Sequence, residues 1–257
     1  MKKPRKVLIT GASGGIGLAV AERFAQNGDA LFLHGFSRTS RLELLRKKYP
    51  QNAIHLHSCD LSLPQEQEKW LDAAWTWKSE GWDVLILCAG VDILTGTMKT
   101  RTFEEKLDAL WKVDVVAGVR IAKELTQRRE NAGRKTFPGT ILFLGWDAVD
   151  FGMAGDSAEL FALAKGAITA FARCLAQKVS PDCRVHVLAP GWIQTDWAAQ
   201  ASEKWQQMAI QSSLMKRWGT PQDMAELAFF LASPEAEFLN AMVWPVNGGR
   251  KNQVSAK

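Results

Sequence analysis

Short apolar runs recur along this chain, each followed by a longer segment whose apolar positions return with helical period, and this alternation limits the fold more than any other feature. "KVLIT" precedes a helix expected from about Ile16, "ALFLHG" precedes "SRLELLRKKY", and "AIHLHSCD" precedes "EQEKWLDAAWTWKSE". The rhythm continues through "WDVLILCAG", a long helix from about Thr102 to Arg129, "GTILFLG", a helix from about Ser157 to Lys178, and "RVHVLAPG". Parallel strands are joined by crossovers, usually helices, so this order predicts a parallel sheet covered by helices on both faces. Runs such as "VLILC" and "TILFL" are apolar throughout, as strands buried on both faces are. A Trp-rich excursion (192–218), a helix near 221–232 and a last strand in "AMVWPVNGG" complete the pattern.

No repeat, linker or low-complexity stretch divides the 257 residues, and 47% hydrophobic content supplies one large core. A single α/β domain over 1–257 is expected, a Rossmann-type doubly wound sheet. The formal net charge of +5 comes from scattered residues apart from "MKKPRK" and "RKNQVSAK", which predicts solvated surface rather than nucleic-acid binding. Cys59, Cys88, Cys174 and Cys183 form no C-x-x-C pair and have no histidine at ligand spacing, so reduced thiols and no metal site are expected. The chain passes from charge straight into "VLIT", and no apolar run is long enough to span a bilayer; a cytoplasmic, membrane-free protein is the expectation.

"VLITGASGGIGLAVAERFA" sets Gly11, Gly15 and Gly17 between the first strand and the first helix. Glycines there let the backbone approach a pyrophosphate, and the free amides at the helix start attract its charge. With this G-x-x-x-G-x-G spacing, and with "CDLS" (59–62), "LCAG" (87–90), "APGWIQTD" (189–196), "RWGTPQDMAELAFFLAS" and "VWPVNGG" following in order, the chain resembles the short-chain dehydrogenase/reductase family over about residues 5–250. The resemblance implies an oxidoreductase acting on a carbonyl or alcohol. It implies that Gly11, Ser13, Gly15, Ile16 and Gly17 hold a dinucleotide, that Asp60 and Leu61 lie beside its adenine, and that Cys88, Ala89 and Gly90 pack on its ribose. Pro190, Gly191, Ile193 and Thr195 would reach its nicotinamide end, with 192–218 as a substrate lid. At the end of the second strand, where an acidic residue would bind the ribose of NAD, stands Gly35; Ser37 and Arg38, with Arg41, offer a grip for a 2′-phosphate, so NADP(H) is expected over NAD(H).

The family's catalytic groups are a tyrosine, a lysine four residues later, a serine and an asparagine. Here the lysine is Lys165, the tyrosine position holds Phe161, and the asparagine position holds Asp114. The serine position is Trp146 if aligned by the strand and Ala148 if counted back from Phe161. The enoyl-reductase variant of the family has its tyrosine seven residues before the lysine, and that position is Ala158. The usual proton relay is therefore expected to be impaired. Among nearby acids Asp150, Asp156, Glu159 and Asp147, the last, between Trp146 and Ala148, is the candidate replacement, since a carboxylic acid in an apolar pocket can stay protonated.

Eleven tryptophans are present. Trp70 and Trp77 share a helix face and are read as core. Trp192, Trp197 and Trp205, together with Trp146, are expected either to line an aromatic pocket for a flat or apolar small molecule or to fill the substrate space. Two functions stay open: an oxidoreductase of altered mechanism, and a non-catalytic dinucleotide-binding sensor or regulatory protein. By resemblance a homodimer or homotetramer is expected, pairing through the helices near 102–129 and 157–178 and through the C-terminal strand region.

Overall fold

The computed structural model describes residues 3–77, 81–133 and 139–251. The basic terminal clusters and the last residues of "TWKSE" thus lie partly outside the described residues. Seven strands form one parallel sheet in the order β3-β2-β1-β4-β5-β6-β7. They are β1 (Lys6–Thr10), β2 (Ala30–Gly35), β3 (Ile54–Ser58), β4 (Val84–Leu87), β5 (Gly139–Leu144), β6 (Cys183–Pro190) and β7 (Val243–Val246). The helices are α1 (Gly15–Gln26), α2 (Ser40–Lys48), α3 (Pro64–Thr76), α4 (Phe103–Leu110), α5 (Gly118–Asn131), α6 (Asp156–Val179), α7 (Glu203–Ser212) and α8 (Pro221–Leu231).

Because successive strand residues point to opposite faces, the sheet feeds two cores. Leu8, Leu85 and Ile141 pack with Trp70, Leu125 and Ile168 of α3, α5 and α6. Val7, Ile9 and Ile86 pack with Phe24, Leu42 and Met224 of α1, α2 and α8. Strands β1, β2 and β4 are buried along their whole length, which is why they read as unbroken apolar runs. The edge strands β3 and β7 are only half-buried. Strand order reverses between β1 and β4: β1 leads outward to β2 and β3, and β4 returns on its other side. That reversal opens a crevice at the carboxyl ends of the two strands, the place where open α/β sheets bind ligands.

Two departures from the sequence expectation bear on the crevice. The helix expected over 102–129 begins as expected, with a reciprocal Thr102–Glu105 capping box, but Trp111–Ala117 forms a π-helical stretch between α4 and α5. Hydrophobic periodicity does not register such a widened turn, and turns of this kind often carry a functional side chain; this one carries Asp114. The Trp-rich excursion is closed at its base, where the Gly219 N–H donates to the Trp192 carbonyl at 2.8 Å and Ile193 pairs with Gly219, and it contains α7.

Candidate active site

The first helix starts from a turn in which the backbone folds onto itself. Gly11 has φ +66°, and a Cβ there would stand 2.6 Å from the Ala89 nitrogen; a Cβ on Gly17 would stand 2.3 Å from the Gly11 oxygen. Only glycine fits either place, so the sequence spacing is a steric requirement. The Ala12 N–H donates to the His34 carbonyl at 2.8 Å, and the Gly11 N–H donates to His34 Nδ1 at 3.1 Å. His34 Nε2 lies 3.0 Å from the Cys59 carbonyl. Burial lowers the pKa of His34 to about 4, so the ring is neutral near pH 7. With Nδ1 accepting from Gly11, the proton sits on Nε2 and is donated to Cys59. One ring thus ties the glycine turn and the end of β2 to the turn that bears Asp60 and Leu61. The sequence reading passed over His34, whose one signal was a histidine inside an otherwise apolar strand.

The other expected cofactor residues gather at the same edge of the sheet. Ser13 is buried, and a Cβ on Gly35 would lie 3.1 Å from its Oγ. Ile16 is half-buried in the first turn of α1. The Asp60 carboxylate accepts from the Ser62 N–H at 2.8 Å, a local turn bond, and Leu61 is buried. Cys88 and Ala89 are held on β1 through the Thr10 carbonyl and hydroxyl, each at 3.2 Å. Burial pushes the Cys88 thiol up to about 12. Pro190 ends β6, the Gly191 N–H donates to the Val246 carbonyl, and the Thr195 methyl lies 3.2 Å from where a Cβ on Gly15 would be. Ser37 and Arg38 are exposed on the β2–α2 loop. Arg38 pairs with Asp196, and Arg41 grips both oxygens of the same carboxylate at 3.1 and 3.2 Å. Those guanidiniums, Arg41 foremost, hold the Asp196 carboxyl below the usual carboxylate range. Asp196, directly after Thr195 in the lid-like segment, is a second residue the sequence reading did not single out.

Across the crevice lies the corner formed by β5 and α6. Lys165 Nζ is 2.7 Å from Asp114 Oδ1, the two side chains being 10% and 2% exposed. The second carboxylate oxygen accepts from the Val91 N–H at 2.9 Å, so the π-helical turn, the loop after β4 and α6 meet at Asp114. A cavity of about 10 Å³, lined by Thr10, Ala89, Asp114, Phe143 and Lys165 among others, adjoins this pair; that is room for roughly one water. Phe161 stands one turn before Lys165 on α6, and its ring meets Trp146 at 6.2 Å between centroids and 59° between planes. Ala148, the other candidate for the serine position, is buried, as is Ala158. Asp147 Oδ2 accepts from the Asn247 side chain at 3.0 Å. Burial raises the Asp147 pKa, opposed by that hydrogen bond and by Arg250. Asp150, Asp156 and Glu159 are exposed.

The aromatic residues divide into separate groups. Trp192 meets Trp197, Trp205 and Trp218 at 5.9, 5.5 and 5.8 Å, and Trp197 meets Trp218 at 6.0 Å. Among the described residues the tryptophans of the 192–218 excursion are partners of one another, while the ring partner of Trp146 is Phe161. Trp146 and the Trp192 group thus have different ring partners, and the contacts among Trp192, Trp197, Trp205 and Trp218 make that group a packed cluster. Trp70 is fully buried, and it and Trp77 pack on Phe32 at 5.7 and 5.6 Å, as core residues do. All four cysteines are unpaired. Among the described residues, no helix is long and apolar enough to cross a membrane, and no three His, Cys, Asp or Glu side chains gather as a metal site would require.

The sequence model of a family described as Enoyl-(Acyl carrier protein) reductase matches residues 11–251. The fold matches that of a short-chain dehydrogenase/reductase from Brucella melitensis, titled glucose/ribitol dehydrogenase, with a TM-score of 0.79 and 26% identity over 95% of this chain and 96% of that one. The chain belongs to the short-chain dehydrogenase/reductase family. It is 30% identical over 247 residues to the 3-oxoacyl-[acyl-carrier-protein] reductase MabA of Mycobacterium tuberculosis, covering 95% of this chain and 92% of that protein. It is 28% identical over 246 residues to the 3-oxoacyl-[acyl-carrier-protein] reductase FabG of Rickettsia typhi, covering 94% and 95%. A 4-hydroxyisoleucine dehydrogenase complexed with NADH shares the fold, with a TM-score of 0.82 at 20% identity over 95% of this chain and 98% of that one. Membership in the short-chain dehydrogenase/reductase family places the chain in the oxidoreductase class with a nucleotide-binding fold.

Proposed function

We propose that this chain binds NADP(H) at the glycine turn and is an oxidoreductase-family protein whose carbonyl–alcohol chemistry is altered or impaired. The reading rests on the Lys165–Asp114 ion pair, 2.7 Å long, and on the contact of Trp146, one of the two candidates for the serine position with Ala148, with Phe161 at the tyrosine position. The tight backbone packing at Gly11 and Gly17, where a Cβ would meet the Ala89 and Gly11 backbone, shapes a turn that leads into the start of α1, whose free amides fit a pyrophosphate. When bound, the dinucleotide supplies or accepts a hydride. Gly11, Ser13, Gly15, Ile16 and Gly17 cradle its phosphates, Asp60 and Leu61 flank the adenine, and Cys88, Ala89 and Gly90 support the ribose. Pro190, Gly191, Ile193 and Thr195 close over the nicotinamide end.

Preference for NADP(H) rests on Gly35, which places no carboxylate against a 2′-phosphate, and on Ser37, Arg38 and Arg41 next to it. Lys165 would hold the nicotinamide ribose, with Asp114 competing for the same ammonium. A phenyl ring at 161 neither donates nor accepts a proton, so hydride transfer to an ordinary ketone goes without general acid help, typically worth about 10² to 10⁴ in rate. At the limit of impairment the protein is a non-catalytic dinucleotide sensor or regulatory partner. The test is a titration with NADPH and with NADH, followed by turnover across a carbonyl panel that includes 3-oxoacyl thioesters. Tighter NADPH binding with little turnover is expected; efficient turnover overturns the impaired-relay reading, and no binding of either dinucleotide overturns the cofactor assignment.

A second reading keeps catalysis, with Asp147 as the proton donor, and is favoured by the burial that raises its pKa. The oligomer proposed is a homodimer or homotetramer joined across α4, the π-helical stretch and α6, where Trp111 and Leu163 are 43% and 48% exposed beside a groove also lined by Leu107 and Ala167. Light scattering on Leu163→Glu, expected to shift the mass toward monomer, checks it. A cytoplasmic location is proposed with it.

A further inference from the structure

Arg38 and Arg41 belong to the loop after β2, and Asp196 belongs to the lid-like segment after β6, yet both guanidiniums converge on this one carboxylate. Arg41 meets it as a fork, Nη1 to Oδ2 at 3.1 Å and Nη2 to Oδ1 at 3.2 Å, the geometry with which arginine also binds phosphate. Arg38 reaches it from a left-handed backbone position, φ 54°, sparsely populated by residues with a side chain. The bridge crosses in front of the start of α1, because Thr195, one residue before Asp196, lies against Gly15. Asp196 is followed by Trp197, which stacks on Trp192 at 5.9 Å and 21°, so the carboxylate is joined directly to the packed interior of the lid.

We propose that Asp196 is a clasp: it occupies the arginine seat of the 2′-phosphate in the free protein, ties the lid to the β2–α2 loop, and is displaced when a 2′-phosphate binds. This rests on the reading of Arg38 and Arg41 as the 2′-phosphate ligands. Carboxylate and phosphate compete for the same donors, and a doubly charged phosphate beside an Asp196 carboxylate is repelled unless one of them leaves. The pairs are half-exposed, with the Asp196 side chain at 42% and the Arg38 and Arg41 side chains at 50% and 34%, so solvent screens them and exchange is easy. A dinucleotide without the 2′-phosphate leaves the clasp closed. Lid release would thus report which dinucleotide is bound, making Asp196 a specificity-determining residue as well as a hinge restraint.

The experiment is backbone hydrogen exchange over residues 196–212 of the full chain, with calorimetry, using adenosine 2′,5′-bisphosphate and adenosine 5′-monophosphate as probes. The bisphosphate is expected to bind more tightly than the monophosphate and to speed exchange in the lid, and the monophosphate to leave exchange unchanged. In Asp196→Asn the lid should exchange faster without ligand, and the bisphosphate should bind about five-fold more tightly than in the wild type, the scale of an exposed ion pair, with the monophosphate unaffected. Tight bisphosphate binding with no change in lid exchange and no gain in Asp196→Asn overturns the clasp while leaving the arginine assignment in place. Equal binding of the two probes, unchanged in Arg38→Ala with Arg41→Ala, overturns the arginine assignment and the clasp with it.

Discussion

The two sides of the crevice solve opposite problems. At the glycine turn, side chains are absent where the backbone must come close, as at Gly11 and Gly17, and the buried polar ring of His34 is consumed in bracing the turn from behind. At the β5–α6 corner, side chains are large and engaged with one another: Lys165 pairs with Asp114, Asp147 accepts from Asn247, and the Trp146 ring lies against Phe161. Under the proposed function, holding a dinucleotide rests largely on backbone shape and moving a proton on a few side-chain identities, with Lys165 serving both. The two sides nevertheless meet at Asp114, whose Oδ2 accepts from the Val91 N–H at 2.9 Å and whose Oδ1 would lie 2.8 Å from a Cβ on Gly90.

Rebuilding the second side with the family's own groups should change the protein most. Trp146→Ser, Phe161→Tyr and Asp114→Asn together are expected to raise kcat/KM for carbonyl reduction with NADPH by about 10² to 10⁴, the usual worth of acid–base help. Phe161→Tyr alone should gain little, since Trp146 still covers the ring and Asp114 still holds Lys165. Steady-state kinetics on the single, double and triple variants decides it; a triple variant no faster than the wild type would place the block in the lid instead.

Removing one half of the buried pair comes next. Asp114→Ala leaves the Lys165 ammonium without its carboxylate in a site that is 10% exposed, and a stranded buried charge costs about 3 to 5 kcal/mol. Asp114→Asn should cost less, because an amide oxygen still accepts from Val91 or Lys165. Urea unfolding of the two variants measures the difference, and equal losses would show that the charge of Asp114 is not what stabilises the corner.

On the first side the expected effect is set by pH. The folded pKa of His34, about 4, lies below the ordinary value of 6.5, so the unfolded chain binds more protons between these values and stability falls as pH drops through that window. Above pH 6.5 nothing is lost; by pH 4 the His34 share amounts to about 3 kcal/mol. His186, lowered to about 4 by burial and by Arg184, adds a slope of the same sign, so the His34 share is read by difference against His34→Asn. A variant with the wild-type pH slope would mean that the ring is not held neutral in the folded protein.

Much of the architecture was legible from residue order, because each buried strand is a continuous apolar run and each crossover has helical period. Gly11, Gly17 and Lys165 were legible because their chemistry leaves little freedom: a Cβ cannot fit at the first two, and the lysine stands four residues from Phe161 on a plainly amphipathic helix. What stayed hidden depends on contacts far apart in sequence. The His34 ring acts only through Gly11 and Cys59, Asp196 through a loop more than a hundred residues away, and Asp147 through Asn247 at the other end of the chain. The π-helical turn at Asp114 was hidden for a local reason, since one extra residue in a turn barely changes an apolar pattern read over many residues. The pairing of the tryptophans in 192–218 was hidden as well, because composition reveals how many rings there are and not which of them face one another.

Both sides of the crevice touch the C-terminal segment near Asp147, where a substitution should cost least. Asp147 sits in the reaction corner, but its Oδ2 is held by Asn247, and a Cβ on Gly191, part of the expected nicotinamide end, would lie 3.2 Å from the same oxygen. A carboxylate fixed in this way is a tie between β5 and the segment after β7 before it is an acid. Asp147→Asn keeps the shape and an acceptor oxygen, so the expected cost is about 1 kcal/mol, the net worth of one hydrogen bond, with any residual NADPH turnover unchanged. Thermal unfolding and steady-state turnover of the same preparation read the two quantities together. If stability and NADPH affinity held while residual turnover vanished, Asp147 would be the surviving proton donor, and the corner would then be a rebuilt catalytic site rather than a closed one.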